Sequence, residues 1–404
     1  MRRTSVLVVF LTVFIDLLGF GILIPLLPLY AKEFGATEFL GGLLVAVYSL
    51  MQFLFAPMWG HISDRVGRKP VLAFTLAGNA LSYVLFALGA SLPVLFVARA
   101  MSGFFAANIA TAQAYVADVT THADRARGMG MIGMAFGLGF VFGPAIGAGL
   151  SHFGHWAPAA ASAFLSGVAA LLATFKLRES LTPELRASAS RRRAHPILTL
   201  REGLASPATG GLFVLFFFLV FGFANLESML PYFLLDRHGW GKAETGLLFT
   251  YIGVCIAFAQ GFLFRRLAGR FGEARLLRVG PILIAVGMQL YWLFPTWWLL
   301  LLAVPIVAIG MGLTSPSIPS LISKRTPPDM QGRTLGLSQS LGSLARALSP
   351  GLAGWMYKTY PRPGGSIVPF LWGGAVMVVG LLFSLRSTTV VPPGEAGAPT
   401  SPPA

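Results

Sequence analysis

The chain has 404 residues, 55% hydrophobic and only 11% charged, with 47 glycines, a single cysteine (Cys255) and a formal net charge of +15. Soluble domains carry roughly 25% charged residues, so an ordinary soluble surface is excluded, and with it a soluble α/β enzyme, a disordered chain and a disulfide-stapled secreted scaffold. What the positive charge means depends on where it lies.

Apolar runs near the ~20 residues that a bilayer-crossing helix needs predict twelve spans: 5–30, 39–59, 70–89, 93–117, 127–151, 156–175, 208–235, 244–264, 275–293, 297–320, 331–356 and 367–385. The first follows Arg2–Arg3 but is too long for a signal peptide and is interrupted by Asp16. No small-residue cleavage site precedes Pro25 and Pro28, so it reads as an uncleaved helix. The loops between the runs alternate in basicity. One side holds both termini, Arg65, Arg68, Lys69, Arg125, Arg127, the basic stretch 177–207 and most remaining arginines; the other holds Lys32, Arg237, Lys242, Lys358 and Arg362. The positive-inside rule puts the basic side, and both termini, in the cytoplasm. The charge is therefore a topology signal, and nucleic acid is not a partner.

The stretch 177–207 is the one long internal loop, and it divides the chain into an N-terminal bundle (1–176) and a C-terminal bundle (208–386), each of six spans. The end, 387–404, is Pro-rich and predicts a disordered tail. The expected fold class is an all-α membrane protein, twelve transmembrane helices in two pseudo-symmetric six-helix bundles. The halves echo each other. The fifth span reads Gly137-Leu-Gly139-Phe-Val-Phe-Gly143-Pro144-Ala-Ile-Gly147-Ala-Gly149, and the eleventh Gly342-Ser-Leu-Ala-Arg346-Ala-Leu-Ser-Pro350-Gly351-Leu-Ala-Gly354. Each follows a short polar turn, Asp124 to Gly128 and Asp329 to Arg333. Repeats related about the membrane normal place a binding site between the halves near the bilayer midplane.

After the second span comes Gly60-His-Ile-Ser-Asp64-Arg65-Val-Gly67-Arg68-Lys69-Pro70. This resembles the GxxxDRxGRKP signature of the major facilitator superfamily. The resemblance implies that fold, and a conformational latch built from Gly60, Asp64, Arg65, Gly67 and Arg68. Asp118 is expected to join it through Arg65 or Arg125. The segment Gly139, Gly143, Pro144 and Gly147 is similar to the antiporter motif of drug/proton exchangers; small residues at this spacing also read as a helix-packing seam. Asp16 to Pro28, Tyr48 to Pro57 and Arg99-Ala-Met-Ser102-Gly103 resemble tetracycline/proton antiporters. Leu226-Glu227 and Gly336 to Pro350 resemble the animal tetracycline-transporter-like proteins. Those exporters carry an acidic residue before a tyrosine in the third span and an aspartate in the ninth. Here Ser82 precedes Tyr83 and 275–293 has no aspartate, so the resemblance implies proton-coupled export rather than tetracycline as the cargo.

Four ionisable side chains fall inside apolar spans: Asp16, Arg99, Glu227 and Arg346. Each costs at least ~2.5–3.5 kcal/mol at a helix centre, and such groups face a cavity or a partner. Asp16 either exchanges a proton for substrate or forms an ion pair with Arg99. Glu227 takes the matching place in the second half, or sits at the outer mouth. Arg346 pairs with Glu227 or holds an anionic group of the substrate. Gln52, Asn108, Gln113, Asn225, Gln260 and Gln339 are candidates for lining the cavity, while interhelical hydrogen bonds are the alternative use of such groups. The six histidines lack metal-ligand spacing, and no phosphate-cradling Gly-Lys-Thr loop is present, so no metal, ATP or other cofactor is implied. The expected function is that of a monomeric, multi-pass transporter in the bacterial inner membrane, exporting an amphipathic organic molecule against protons. A lipid or lysolipid transporter of the same fold and an organic-solute/proton symporter are the alternatives. No enzyme constellation is present.

Overall fold

The computed structural model describes residues 3–106, 108–120, 122–181, 203–206, 209–294, 296–326 and 331–388. Most of the basic linker and the tail from 389 lie outside these residues, as do the side chains of Asp124, Arg125, Asp329 and Arg333.

The described residues form α-helices: α1 (Arg3–Leu23), α2 (Leu27–Glu33), α3 (Glu38–Val66), α4 (Arg68–Leu88), α5 (Leu92–Phe104), α6 (Asn108–Val119), α7 (His122–Leu150) and α8 (Trp156–Lys176). After the linker come α9 (Gly210–His238), α10 (Lys242–Phe258), α11 (Phe264–Phe271), α12 (Glu273–Leu293), α13 (Trp297–Lys324), α14 (Gln331–Thr359) and α15 (Val368–Thr388). A 3₁₀ turn, Ile24–Leu26, joins α1 to α2, and a π-helical turn, Ala259–Leu263, joins α10 to α11. Ten spans built from these helices are long and apolar enough to cross a membrane. The α14 helix is as long as α3 but is not among them, because glutamine, serine and arginine interrupt its apolar face.

Several spans outrun the apolar runs. The second continues as helix through Gly60–Val66, so most of the GxxxDRxGRKP segment is helical and the turn is confined to Gly67. There φ is +130°, a backbone that a side chain disfavours. The turn expected at Asp124 to Gly128 likewise belongs to α7. The fourth span, expected unbroken over 93–117, stops at Phe104 and restarts at Asn108.

Helices α1, α4, α7 and α8 pack together around Val9, Val13, Leu17, Leu72, Leu76, Ala112 and Ile132. Helices α9, α12, α13, α14 and α15 enclose a second core containing Phe213, Met229, Ile284, Val304 and Met377. The two halves of the chain meet along two seams, α3 against α14 and α7 against α10. Large apolar side chains cover the outside, among them Phe74, Leu88, Phe164, Phe175, Trp297 and Trp298. An apolar exterior over a packed interior is what lipid as solvent demands.

Candidate functional site

Asp16 projects from α1 into the middle of the first group and is 4% exposed. Its carboxylate accepts hydrogen bonds from Asn79 Nδ2 on α4 (2.9 Å), Ser166 Oγ on α8 (3.0 Å) and Asn108 Nδ2 at the start of α6. Neutral donors, rather than a cation, thus hold this acid: among the described residues Asp16 and Arg99 form no ion pair. Asn108 is itself fixed, since its Oδ1 accepts the Ile109 N–H at 2.9 Å. Asn79 Oδ1 is buried without a partner. Asn79 is legible in the sequence as a polar group at membrane depth, whereas Ser166 escapes as a site residue, because it carries no charge and lies far along the chain from Asp16.

The other three ionisable groups converge where the halves face each other. Arg99 on α5 is 2% exposed, and its guanidinium lies 4.6 Å from the centroid of the Tyr48 ring, with Nε and Nη1 unpartnered. Tyr48 is backed in turn by Phe20, 5.1 Å away. Glu227 on α9 has a buried, unpartnered Oε1. It lies within the electrostatic reach of both Arg99 and Arg346, the latter half-buried on α14. No two of the three approach within ion-pairing distance. Two guanidinium groups therefore share one carboxyl, and a charge withdrawn from water without a partner is costly unless something else supplies one.

The remaining polar candidates scatter. Gln52 on α3 donates to Ala106 O (3.2 Å) and accepts from Ser343 Oγ on α14 (3.3 Å). Asn225 is buried on α9 with its Nδ2 unpartnered. Gln113 is half-buried on α6, Gln260 half-buried in the π turn, and Gln339 exposed on α14.

Gly139, Gly143, Pro144 and Gly147 lie on α7 between two neighbours. A methyl at Gly143 would stand 2.6 Å from the Gly21 carbonyl carbon of α1, and one at Gly21 would stand 2.6 Å from the Gly139 oxygen. On the other face the Pro144 and Phe140 carbonyls lie against Gly246 and Gly253 of α10. The segment thus lays α7 backbone to backbone on helices of both halves.

The latch residues cluster around Arg68, which is 8% exposed. Arg68 pairs with Asp64 (2.6 Å) and Asp118 (3.2 Å) and donates to Ser63 Oγ (2.6 Å). Asp118 therefore meets Arg68, not Arg65, which points into solvent; Arg125 has no described side chain. Ser180 also donates to Asp118 (3.0 Å), and Glu179 accepts the Arg68 and Lys69 backbone N–H groups (2.9 and 3.2 Å) at the free N-terminus of α4. An anion there satisfies orphan donors and the helix dipole. Close approach does not explain Gly60, which faces open space.

At the opposite end the halves are clasped. Lys32 pairs with Asp236 (2.9 Å), which also accepts from Tyr357 Oη (2.8 Å), and Glu33 pairs with Lys242 (2.5 Å). Lys242 lies 4.6 Å from the Tyr30 ring centroid. Beside the clasp is a cavity of about 520 Å³ lined by Lys32, Glu33, His152, Lys242 and Glu244. Beneath it Gly42 lies on Pro350 and Gly354 on the Glu38 carbonyl, closing the α3–α14 seam. Further along the same two helices, Gly60 and Gly336 face open space. The halves touch through main chain at the Glu33 end.

Comparison with known proteins agrees with this architecture. The family model "Major Facilitator Superfamily" matches residues 9–350 and 212–403. The class G tetracycline resistance protein of Vibrio anguillarum is 33% identical over 398 residues, covering 95% of this chain and 96% of that protein. Major facilitator superfamily domain-containing protein 10 of Bos taurus is 32% identical over 409 residues, 87% of each. The crystal structure of the human organic anion transporter MFSD10 (TETRAN) superposes with a TM-score of 0.73 at 25% identity, covering 95% of this chain and 99% of that one.

Proposed function

The chain belongs to the Major Facilitator Superfamily, and we propose that it is a secondary transporter that exports an amphipathic organic compound in exchange for protons by alternating access. The observation that carries this reading is the meeting of Arg99, from one half, with Glu227 and Arg346, from the other, all without ion-pair partners. A site split across two halves is remade each time they rock, so its charges act on both conformation and cargo. In the proposed orientation both termini are cytoplasmic, the Lys32–Asp236 and Glu33–Lys242 clasp closes the outer end, and cargo enters from the cytoplasm. Asp16 and Glu227 exchange the protons, Arg99 and Arg346 set the potential that the cargo meets, and the Arg68 cluster acts as the inner latch. Coupling requires that protonation favour one access state over the other, since equal affinity for both shifts nothing. The named relatives, tetracycline resistance proteins among them, support export of an organic compound.

The excess of guanidinium over carboxyl favours a second reading, an organic anion moving together with protons. Protonating Glu227 raises the site's positive potential, so that proton and anion bind together rather than in turn. The human relative named as an organic anion transporter points the same way. Proteoliposomes loaded with a fluorescent organic anion or cation separate the two. Exchange predicts faster exit when the outside is acidified, and co-transport predicts faster exit when the lumen is. Under either, Glu227→Gln removes the gradient dependence; a variant with the wild-type gradient response refutes both.

A further inference from the structure

The break in the fourth span connects two things that the proposed proton exchange needs connected. Phe104 ends α5 and Asn108 begins α6. The last bonds before the break run from Phe105 N to Met101 O (3.0 Å) and from Ala106 N to Gly103 O (3.2 Å). The carbonyls of Phe104 and Ala106 accept from side chains of α3 instead: Trp59 Nε1 donates to Phe104 O (2.7 Å) and Gln52 Nε2 to Ala106 O (3.2 Å). In lipid every such carbonyl needs a partner, so a helix broken at depth persists only where the protein supplies one. On the far side of the break Asn108 donates to Asp16. On the near side Gln52 uses its second group to accept from Ser343 Oγ of α14, in the other half (3.3 Å). Ser343 lies one turn before Arg346, and residues three apart share a helix face.

Polar contacts thus join a buried acid in one half to Asn108, and join Ala106, two residues earlier in the chain, through Gln52 to the helix of the other half that carries Arg346. Both functional groups of Gln52 are engaged, one on the break and one across the interface. We propose that Gln52 is a positioning residue which couples the state of Asp16 to the contact between the halves. The inference rests on the proposed exchange of protons at Asp16. The ionised carboxylate accepts from Asn79, Asn108 and Ser166 together. A protonated one keeps acceptor sites for these donors but carries a hydrogen that itself needs an acceptor. Asn79 Oδ1, buried and unpartnered, is placed to receive that hydrogen once the amide turns. Tyr48 and Tyr83, on α3 and α4, are the titratable groups within electrostatic reach of Asp16. The neutral acid also holds Asn108 more weakly than the carboxylate does, which loosens the first turn of α6, shifts the Ala106 carbonyl against Gln52, and weakens the hold on Ser343. The halves then part at mid-depth.

The test needs no cargo. In the full chain with Cys255→Ser, spin labels are placed at His61→Cys on α3 and Gly336→Cys on α14, both exposed and toward the Gly67 end. Their distance distribution is measured at pH 5.5 and 8.5 in lipid nanodiscs. The expected result is a population ratio between near and far states that changes with pH at least tenfold in the parent and less than twofold in Asp16→Asn and Gln52→Leu. Ser343→Ala, which removes only the hydroxyl across the interface, is expected to lose at least threefold of the response and serves if Gln52→Leu does not fold. A responsive parent and unresponsive Asp16→Asn, with Gln52→Leu and Ser343→Ala both responding as the parent does, overturns this inference and leaves the proton reading standing. A parent whose distances ignore pH, or an Asp16→Asn that responds like it, overturns the proton reading at Asp16 and the inference with it.

Discussion

Asp236→Ala removes two contacts from the clasp at once, and the size of the effect follows from their geometry. The Lys32–Asp236 pair is 2.9 Å long, with side chains 37% and 29% exposed, so water screens it. Ion pairs of that exposure contribute about 0.5–1 kcal/mol. The Tyr357 bond to the same carboxylate is 2.8 Å and partly buried, and a hydrogen bond to a charged acceptor contributes about 1.5 kcal/mol. Together they favour the closed outer end by about 2 kcal/mol, or roughly thirtyfold in population at 1.4 kcal/mol per tenfold. The assay is the labelling rate of a single cysteine, Leu43→Cys in a Cys255→Ser background, by a membrane-impermeant maleimide added outside. Leu43 lies against Gly351 in the closed seam and is half-buried there, so reagent reaches it faster when the outer end opens. Asp236→Ala should raise the rate toward thirtyfold. Exchanging the charges, Lys32→Asp with Asp236→Lys, should recover only about two- to fivefold of that, since the ion pair returns and the tyrosine acceptor does not. A rate within twofold of the parent in Asp236→Ala refutes the clasp, and so does a full recovery in the exchanged pair, which would deny Tyr357 its share.

Asp16→Asn should abolish proton-driven efflux of a fluorescent organic probe in everted vesicles while leaving downhill exchange; unchanged dependence on the pH gradient argues against Asp16 as a carrier. Gly143→Leu inserts a side chain where Gly21 leaves 2.6 Å, and overpacking of this kind costs about 1–3 kcal/mol. Its unfolding midpoint in detergent should fall well below that of Gly149→Ala, whose site faces open space, and equal midpoints would contradict the backbone contact. Arg68→Lys keeps the charge but cannot fork between Asp64, Asp118 and Ser63. It should lower transport more than tenfold with normal membrane insertion, and wild-type transport would show that the forked geometry is unnecessary.

The bilayer's solvent logic made much of this molecule legible. Apolar runs located ten spans of the twelve expected, and the rule that charge is expensive in oil singled out Asp16, Arg99, Glu227 and Arg346. The same logic explains what escaped. Hydropathy ends where lipid ends, not where the helix ends, so α3 runs on to Val66 although its apolar run stops at 59. The break between Phe104 and Asn108 lies among small and apolar residues, and nothing in their order betrays it. Ser166 matters because it touches Asp16, and Lys32 and Glu33 because they meet Asp236 and Lys242. Such pairings join residues far apart along the chain, and only the folded backbone discloses them.

The α3–α14 seam at the Glu33 end carries one mechanical consequence. Where Gly42 meets Pro350 and Gly354 meets Glu38, the two helices touch through main chain. Surfaces of that kind can separate and reseal without any rotamer search. The stop for each stroke is then as hard as peptide planes are rigid. Any bulkier residue grafted into this hinge line would act as a wedge, holding the outer door ajar even with every charge in place.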